Sequence, residues 1–237
     1  MRLGALFSGG KDSTFAIYKA LDWKAGKPPS FRSEHEVACL ISMISENPES
    51  YMFHTPNIQL VKMQAEAMGL PLVQAGTKGE KEKELKDLKR AIAVAKQEFG
   101  LDGIVTGAVA SRYQEERIRK ICEDLGLECI NPLWKMGQVP LLEEMLKSWF
   151  EIMISGVFAY PLGKEWLGRK LDAKMIKELA KLQERYKINP SGEGGEIETT
   201  VLDCPLFRKR LKILEAEKVW KGDSGIYAVK RAEMTEK

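Results

Sequence analysis

Histidine is almost missing from this 237-residue chain: there are two, against 37 lysines and arginines and 34 aspartates and glutamates. Cysteine is scarce as well. Cys39, Cys122, Cys129 and Cys204 include no Cys-x-x-Cys pair, which argues against a structural zinc site. Each lies in or beside an apolar stretch and reads as a small buried hydrophobe, and nothing points to an oxidising compartment. Long apolar runs are also lacking. The N-terminal run ends at Ser8, too early for a signal h-region, and Ile152–Leu162 is far below a membrane span. The expectation is a cytoplasmic protein with no membrane association. Charge of one sign is missing too: the net +3 does not indicate a dedicated nucleic-acid binder, so no stable nucleic-acid binding is expected, although a local basic groove is left open.

What the chain does have is the composition of an ordinary soluble globule, 44% hydrophobic and 30% charged. Short β-type runs alternate with amphipathic helices through its first half. Strands are expected at Leu3–Phe7, Glu36–Ile44, Pro71–Gln74, Gly103–Thr106 and Leu127–Ile130. Helices are expected from Asp12, from Asn57 as cap to the stop at Gly69, from Leu85 to Phe99, and from a capping box at Ser111 to Gly126. Alternation of this kind predicts an α/β fold with an open parallel five-stranded sheet, whose ligands lie beyond the strands' carboxyl ends. After Asn131-Pro132 the pattern changes. Helical stretches at Val139–Trp149 and Asp172–Tyr186 flank an apolar run, Glu151–Tyr160. A Gly/Glu-rich loop follows at Ser191–Thr200, then strand-like pieces at Lys209–Trp220 and Gly225–Arg231. This predicts a smaller α+β C-terminal domain, 131–237, after an α/β domain, 1–130.

Ser8-Gly9-Gly10-Lys11-Asp12-Ser13 stands between a buried strand and a helix. Adjacent glycines let backbone approach a ligand, successive amides at a helix N-terminus form an anion nest, and Lys11 adds positive charge. It is not a Walker A loop, because Ala5 and Asp12 occupy positions that motif gives to Gly and Ser/Thr. The segment resembles the pyrophosphate (PP) loop of the N-type ATP pyrophosphatases, which implies a Rossmann-like fold of the adenine nucleotide alpha-hydrolase (HUP) type and cleavage of ATP between its α- and β-phosphates.

Further segments narrow the resemblance. Ser45–Thr55, containing His54, follows the second strand. Gly107-Ala-Val-Ala-Ser111-Arg-Tyr113-Gln114 follows the fourth, and Pro132-Leu-Trp134 opens the second half. Gly192-Glu193-Gly-Gly-Glu196-Ile-Glu198-Thr199 sets three carboxylates on a glycine-rich turn, ahead of Asp203-Cys-Pro205-Leu-Phe207. In this order they resemble the diphthine–ammonia ligase family over nearly the whole chain. The resemblance implies amidation of diphthine, a modified histidine of translation elongation factor 2, through an acyl-adenylate, with ammonium consumed and AMP and pyrophosphate released.

It also implies roles. ATP would lie against Ser8, Gly9, Gly10, Lys11, Asp12 and Ser13, with Gly107 and Ser111 beside it and adenine near Ser42 and Met43. Mg²⁺ would use Asp12. Catalysis would involve Lys11, Asp12, Glu193 and Glu196. The acceptor would meet His54, Tyr113, Gln114, Trp134, Glu193, Glu196, Glu198 and Thr199, the carboxylates taking a trimethylammonium group or ammonium. With neither spare length nor an N-terminal cysteine for a glutaminase unit, free ammonium is the expected nitrogen source. A tRNA-modifying ligase or thiolase of the same superfamily and a non-catalytic ATP/AMP sensor stay open as alternatives, and a homodimer is left open as well.

Overall fold

The computed structural model describes residues 1–21, 35–47, 56–80 and 83–237. Five strands, β1 (Arg2–Leu6), β2 (Glu36–Ser45), β3 (Leu72–Thr77), β4 (Gly103–Val105) and β5 (Glu128–Ile130), form one sheet in the order β3-β2-β1-β4-β5. All four pairings are parallel, as the alternation of strands and helices predicts. The crossovers include α1 (Lys11–Ala20), α2 (Val61–Met68), α3 (Lys83–Phe99) and α4 (Arg112–Asp124).

A parallel sheet covered on both faces needs apolar residues on both. Along β1 and its extension, Leu3, Ala5 and Phe7 face one cluster, which also holds Phe15 and Ile17 of α1 and Val61 and Ala65 of α2. Cys39, Ile41 and Met43 of β2 face the opposite one, with Leu88 and Ile92 of α3 and Ile118 and Ile121 of α4. Burial pushes the Cys39 thiol up to about 12 and does the same for Cys204, so both are inert at neutral pH.

Beyond residue 131 come α5 (Gln138–Lys147), β6 (Glu151–Val157), α6 (Ala173–Tyr186), β7 (Ile197–Asp203), β8 (Arg210–Lys221) and β9 (Ser224–Thr235). The four strands form an antiparallel sheet ordered β7-β6-β9-β8. Two expectations change here. The loop expected over Ser191–Thr200 gives way to strand at Ile197, because residues 197–203 pair with β6. Asn57 is not a cap. It sits at φ 64°, and its side chain receives a bond from the Val229 amide and donates one to Tyr227 O, both at 2.9 Å, tying the start of α2 to β9. Among the described residues no helix is long and apolar enough to cross a membrane.

The two sheets share one apolar cluster. At its centre the rings of Phe15 and Tyr18 on α1 stack at 5.3 Å, and Phe150, just before β6, meets both edge-on at 5.2 and 5.4 Å. Lys19 of α1 also pairs with Glu144 of α5 at 2.8 Å. Phe150→Ala is expected to lower the unfolding free energy by about 3–5 kcal/mol. Because the cluster is shared, far-UV and near-UV circular dichroism should still melt together in denaturant; separate transitions would show that the layers fold independently.

Candidate active site

The residues after β1 turn sharply. Gly9 adopts φ +78°, Gly10 is extended at φ −81°, and α1 begins at Lys11 with no side chain capping it. The two serines shape this turn: Ser8 N donates to Ser13 Oγ at 3.3 Å, and Ser13 Oγ donates to Gly10 O at 3.1 Å. The end of β4 comes so close that a Cβ on Gly107 would lie 2.8 Å from Asp12 C and Ser13 N, so only glycine fits without displacing the helix start.

The turn opens into a cavity of about 550 Å³. One end is apolar, lined by Leu6, Ile41, Met43, Leu88 and Ile118 above the carboxyl ends of β1 and β2. The other is charged. Lys11 is 4% exposed; its Nζ donates to Asp12 Oδ2 at 2.6 Å and to the carbonyl of Ser191. The backbone N–H of Lys11 donates to Thr199 Oγ1 at 3.1 Å, which seats the phosphate-type loop on β7. Asp12 Oδ1 is buried with no hydrogen-bond partner among the described residues.

The acidic segment divides its carboxylates among three situations. Glu196 is engaged by its own loop: Oε1 accepts from Asn189 N at 2.9 Å and Asn189 Nδ2 at 2.7 Å, and Oε2 accepts from Gly194 N at 2.9 Å. Glu193 reaches across the cavity, where its Oε2 accepts the Ala110 N–H at 3.0 Å. Burial, then repulsion from Asp12, raises its pKa above the usual carboxylate range, against the Ala110 amide and Lys11. Glu198 lines the cavity, and desolvation pushes it up to about 7, with Asp12 adding to the shift and Lys11 opposing it.

Of the residues expected at the site, the structure brings Ser8, Gly10, Lys11, Asp12, Ser13, Met43, Gly107, Ser111, Gln114, Glu193, Glu198 and Thr199 to the cavity lining. Gly9 lies behind it, packed on Gln64. Ser42 is buried in β2 and is not part of the lining, nor are Glu196 and Trp134. Tyr113 is also outside it, with the Arg117 guanidinium 3.4 Å above its ring. His54 lies outside the described residues. Ser111 Oγ accepts the Gln114 N–H at 3.4 Å, the capping contact its spacing predicts. Sequence reasoning missed Thr106, Phe158 and Gln138. Gln138 Oε1 accepts Ser191 N at 3.1 Å and Ser191 Oγ at 2.9 Å, while its Nε2 donates to Asn189 Oδ1 at 2.8 Å. Its partners lie about fifty residues away, so no local signal marked it.

The glycine turn at the start of α1 faces two carboxylates of raised pKa across one cavity, an arrangement able to take an anion on one side and a cationic group on the other. Among the described residues no cluster of three histidines, cysteines or carboxylates could hold a metal unaided. The unpartnered Asp12 Oδ1 fits a divalent cation shared with phosphate oxygens, the usual mode for Mg²⁺.

A parallel sheet ordered 3-2-1-4-5 with its glycine turn at the first strand's carboxyl end defines a Rossmann-like α/β protein. Within that class, residues 1–129 match the family model for the diphthamide synthase N-terminal domain and residues 137–235 that for its C-terminal domain. The zebrafish (Danio rerio) diphthine–ammonia ligase is 34% identical over 97% of this chain and 92% of its own length, and the human one 33% over 92% and 85%. The Schizosaccharomyces pombe protein of the same name is 32% identical over 92% of this chain but 37% of its own length. A crystal structure titled as a "predicted subunit of tRNA methyltransferase" from Methanocaldococcus jannaschii covers 86% of this chain and 98% of its own at 18% identity. The two superpose with a TM-score of 0.39. The chain belongs to the diphthamide synthase family of carbon–nitrogen ligases.

The three carboxylates should differ in what they contribute to stability. Glu196→Ala strips three loop contacts and should cost about 1.5–3 kcal/mol in urea unfolding, whereas Glu193→Ala should cost under about 1 kcal/mol. Equal losses would contradict the division described. Glu198 is raised in the folded state, so its contribution is fully present below its ordinary value of 4.5 and is lost as pH rises through about 7. Glu198→Gln should therefore gain melting temperature relative to the parent between about pH 5 and 8, with the gap constant above that; a pH-independent gap would refute the shift.

Proposed function

We propose that this chain catalyses the ATP-dependent amidation of diphthine on translation elongation factor 2, giving diphthamide, AMP and pyrophosphate, with free ammonium as nitrogen donor, in the cytoplasm. The observation that carries this reading is the closure of the two loops on one another: Lys11 donates to Thr199 Oγ1 and to the Ser191 carbonyl, so nest and carboxylates share one cavity. Family membership supplies the acceptor. In this reading residues 1–130 carry the nucleotide and residues 131–237 the acceptor chemistry.

A diphthine carboxylate oxygen attacks the α-phosphorus of ATP, the bond to the β-phosphate breaks, and pyrophosphate leaves. Ammonia then attacks the acyl carbon, the acyl C–O bond breaks, and AMP leaves. Negative charge builds on phosphate oxygens in the first step, where the amides at the start of α1 and the Lys11 ammonium, exchanging its present partners Asp12 and Ser191, would receive it. Mg²⁺ held by Asp12 and the phosphates would neutralise charge on the leaving pyrophosphate. The second step needs ammonia rather than ammonium. Glu198, with a pKa of about 7, is poised to take the proton in neutral solution. Glu193 offers a carboxylate at the mouth for the trimethylammonium group, once it exchanges its bond to Ala110. Glu196 serves by keeping the loop in shape.

The test combines purified protein, ATP, Mg²⁺, ammonium and elongation factor 2 bearing diphthine. Mass spectrometry should show carboxylate converted to amide, with AMP formed in step. Lys11→Ala should reduce the rate by about 10²–10³-fold. Glu193→Gln should lose amidation while still binding ATP. AMP formed without amide would point to another acceptor, and tight ATP binding with no product would point to a sensor.

A further inference from the structure

Gln64 takes no part in the reaction proposed above, yet its side chain is 0% exposed and lies directly beneath the phosphate-type loop. It stands on α2 between Val61 and Met68, a polar residue on a buried apolar stripe. Its Nε2 donates to two backbone carbonyls, Gly9 O and Val201 O, each at 2.9 Å. Gly9 O also accepts the Val201 N–H at 3.0 Å, so the loop, α2 and β7 meet at one carbonyl.

The other end of this amide is unsatisfied: Oε1 is buried with no hydrogen-bond partner among the described residues. It fills the space where a Gly9 Cβ would stand, 2.1 Å away. A methionine of similar reach would fill that volume without burying an orphan acceptor. The acceptor end gains nothing from being an amide, so the donor end, which holds the Gly9 and Val201 carbonyls, is what matters. Across a trans peptide the C=O of one residue and the N–H of the next point in opposite directions. Holding the Gly9 carbonyl against β7 thus turns the Gly10 N–H the other way, and Gly10 lines the cavity. That N–H has only a long contact to Ser8 Oγ, at 3.4 Å, which a stronger acceptor can replace.

We propose that Gln64 is a positioning residue for phosphate binding: by anchoring the Gly9 carbonyl to α2 and β7 it presents the Gly10 N–H to the phosphates of ATP. The proposal rests on the reading that this loop binds ATP.

Gln64→Met removes the donor and keeps the volume. Its Kd for ATP–Mg²⁺, measured by calorimetry without acceptor, should rise about tenfold. KM for ATP should rise in step and kcat should stay within about twofold, while the melting temperature should fall modestly because the buried Val201 carbonyl loses its side-chain donor. Gln64→Leu, equally unable to donate, should show the same loss of affinity. Met68→Ala, on the same helix and away from the loop, should lower the melting temperature and leave Kd unchanged. Unchanged Kd in both Gln64 variants, or an equal rise in Met68→Ala, overturns the proposal. Parent protein that binds no ATP overturns the proposed function as well, which keeps the two failures apart.

Discussion

Lys11 is buried at 4% exposure, and the rest of the site is organised by that burial. A buried ammonium is expensive unless opposite charge and hydrogen-bond acceptors surround it. The first helix supplies one partner, Asp12 at 2.6 Å. The second comes from 180 residues further along, as the Ser191 carbonyl. Bringing Ser191 there requires the glycine-rich turn, with Gly192 and Gly195 at φ +77° and +81°. It also requires Gln138 at the start of α5 to hold Ser191 by both its amide and its hydroxyl. The cavity is thus a joint product of both sheets, and neither sheet alone would keep Lys11 dry and paired.

The charge balance inside the cavity then follows. One ammonium faces Asp12, Glu193 and Glu198, and the excess of negative charge is relieved in a different way at each. Asp12 pairs with Lys11, and Glu193 accepts an amide hydrogen from Ala110. Glu198 gains no such bond strong enough to offset its desolvation and is pushed up to about 7. A polyphosphate approaching this wall meets repulsion unless a divalent cation or a proton arrives with it. A cationic acceptor meets the opposite. In the proposed reaction the same electrostatics would admit ATP with its metal and draw the trimethylammonium group and ammonium toward the carboxylates.

The first sheet was legible because its signals are local. Buried runs such as Val37–Met43 alternate with helices whose apolar positions step by three and four, and glycines mark where those helices stop. The nucleotide-type loop was legible for the same reason, its meaning lying in six consecutive residues between strand and helix. Asn57 and β7 were not. The Asn57 side chain is captured by β9, about 170 residues away, and residues 197–203 become strand by pairing with β6. Glu196 shows the limit within a motif: sequence sets it level with Glu193, and only the fold reveals that its oxygens are taken by Asn189 and Gly194. Gln64 did carry a signal, a polar residue on the buried stripe between Val61 and Met68.

Fold and chemistry are separable in this molecule, and the seam between them is β7. An open parallel sheet with a glycine turn after its first strand provides an anion site and says nothing about what is activated there. The strand that docks on that turn carries Thr199 against the Lys11 amide and Glu198 into the cavity, with the acidic loop immediately before it. A strand is stiffer than a loop, so carboxylates borne on or next to one keep a fixed distance from the phosphates. Within the segment the residue types divide accordingly: glycines allow the turn, Glu196 closes it, and Glu193 and Glu198 are left facing the cavity. In the proposed reaction, acceptor selection would therefore be written in residues 193–199, with the half upstream supplying the phosphate-binding machinery.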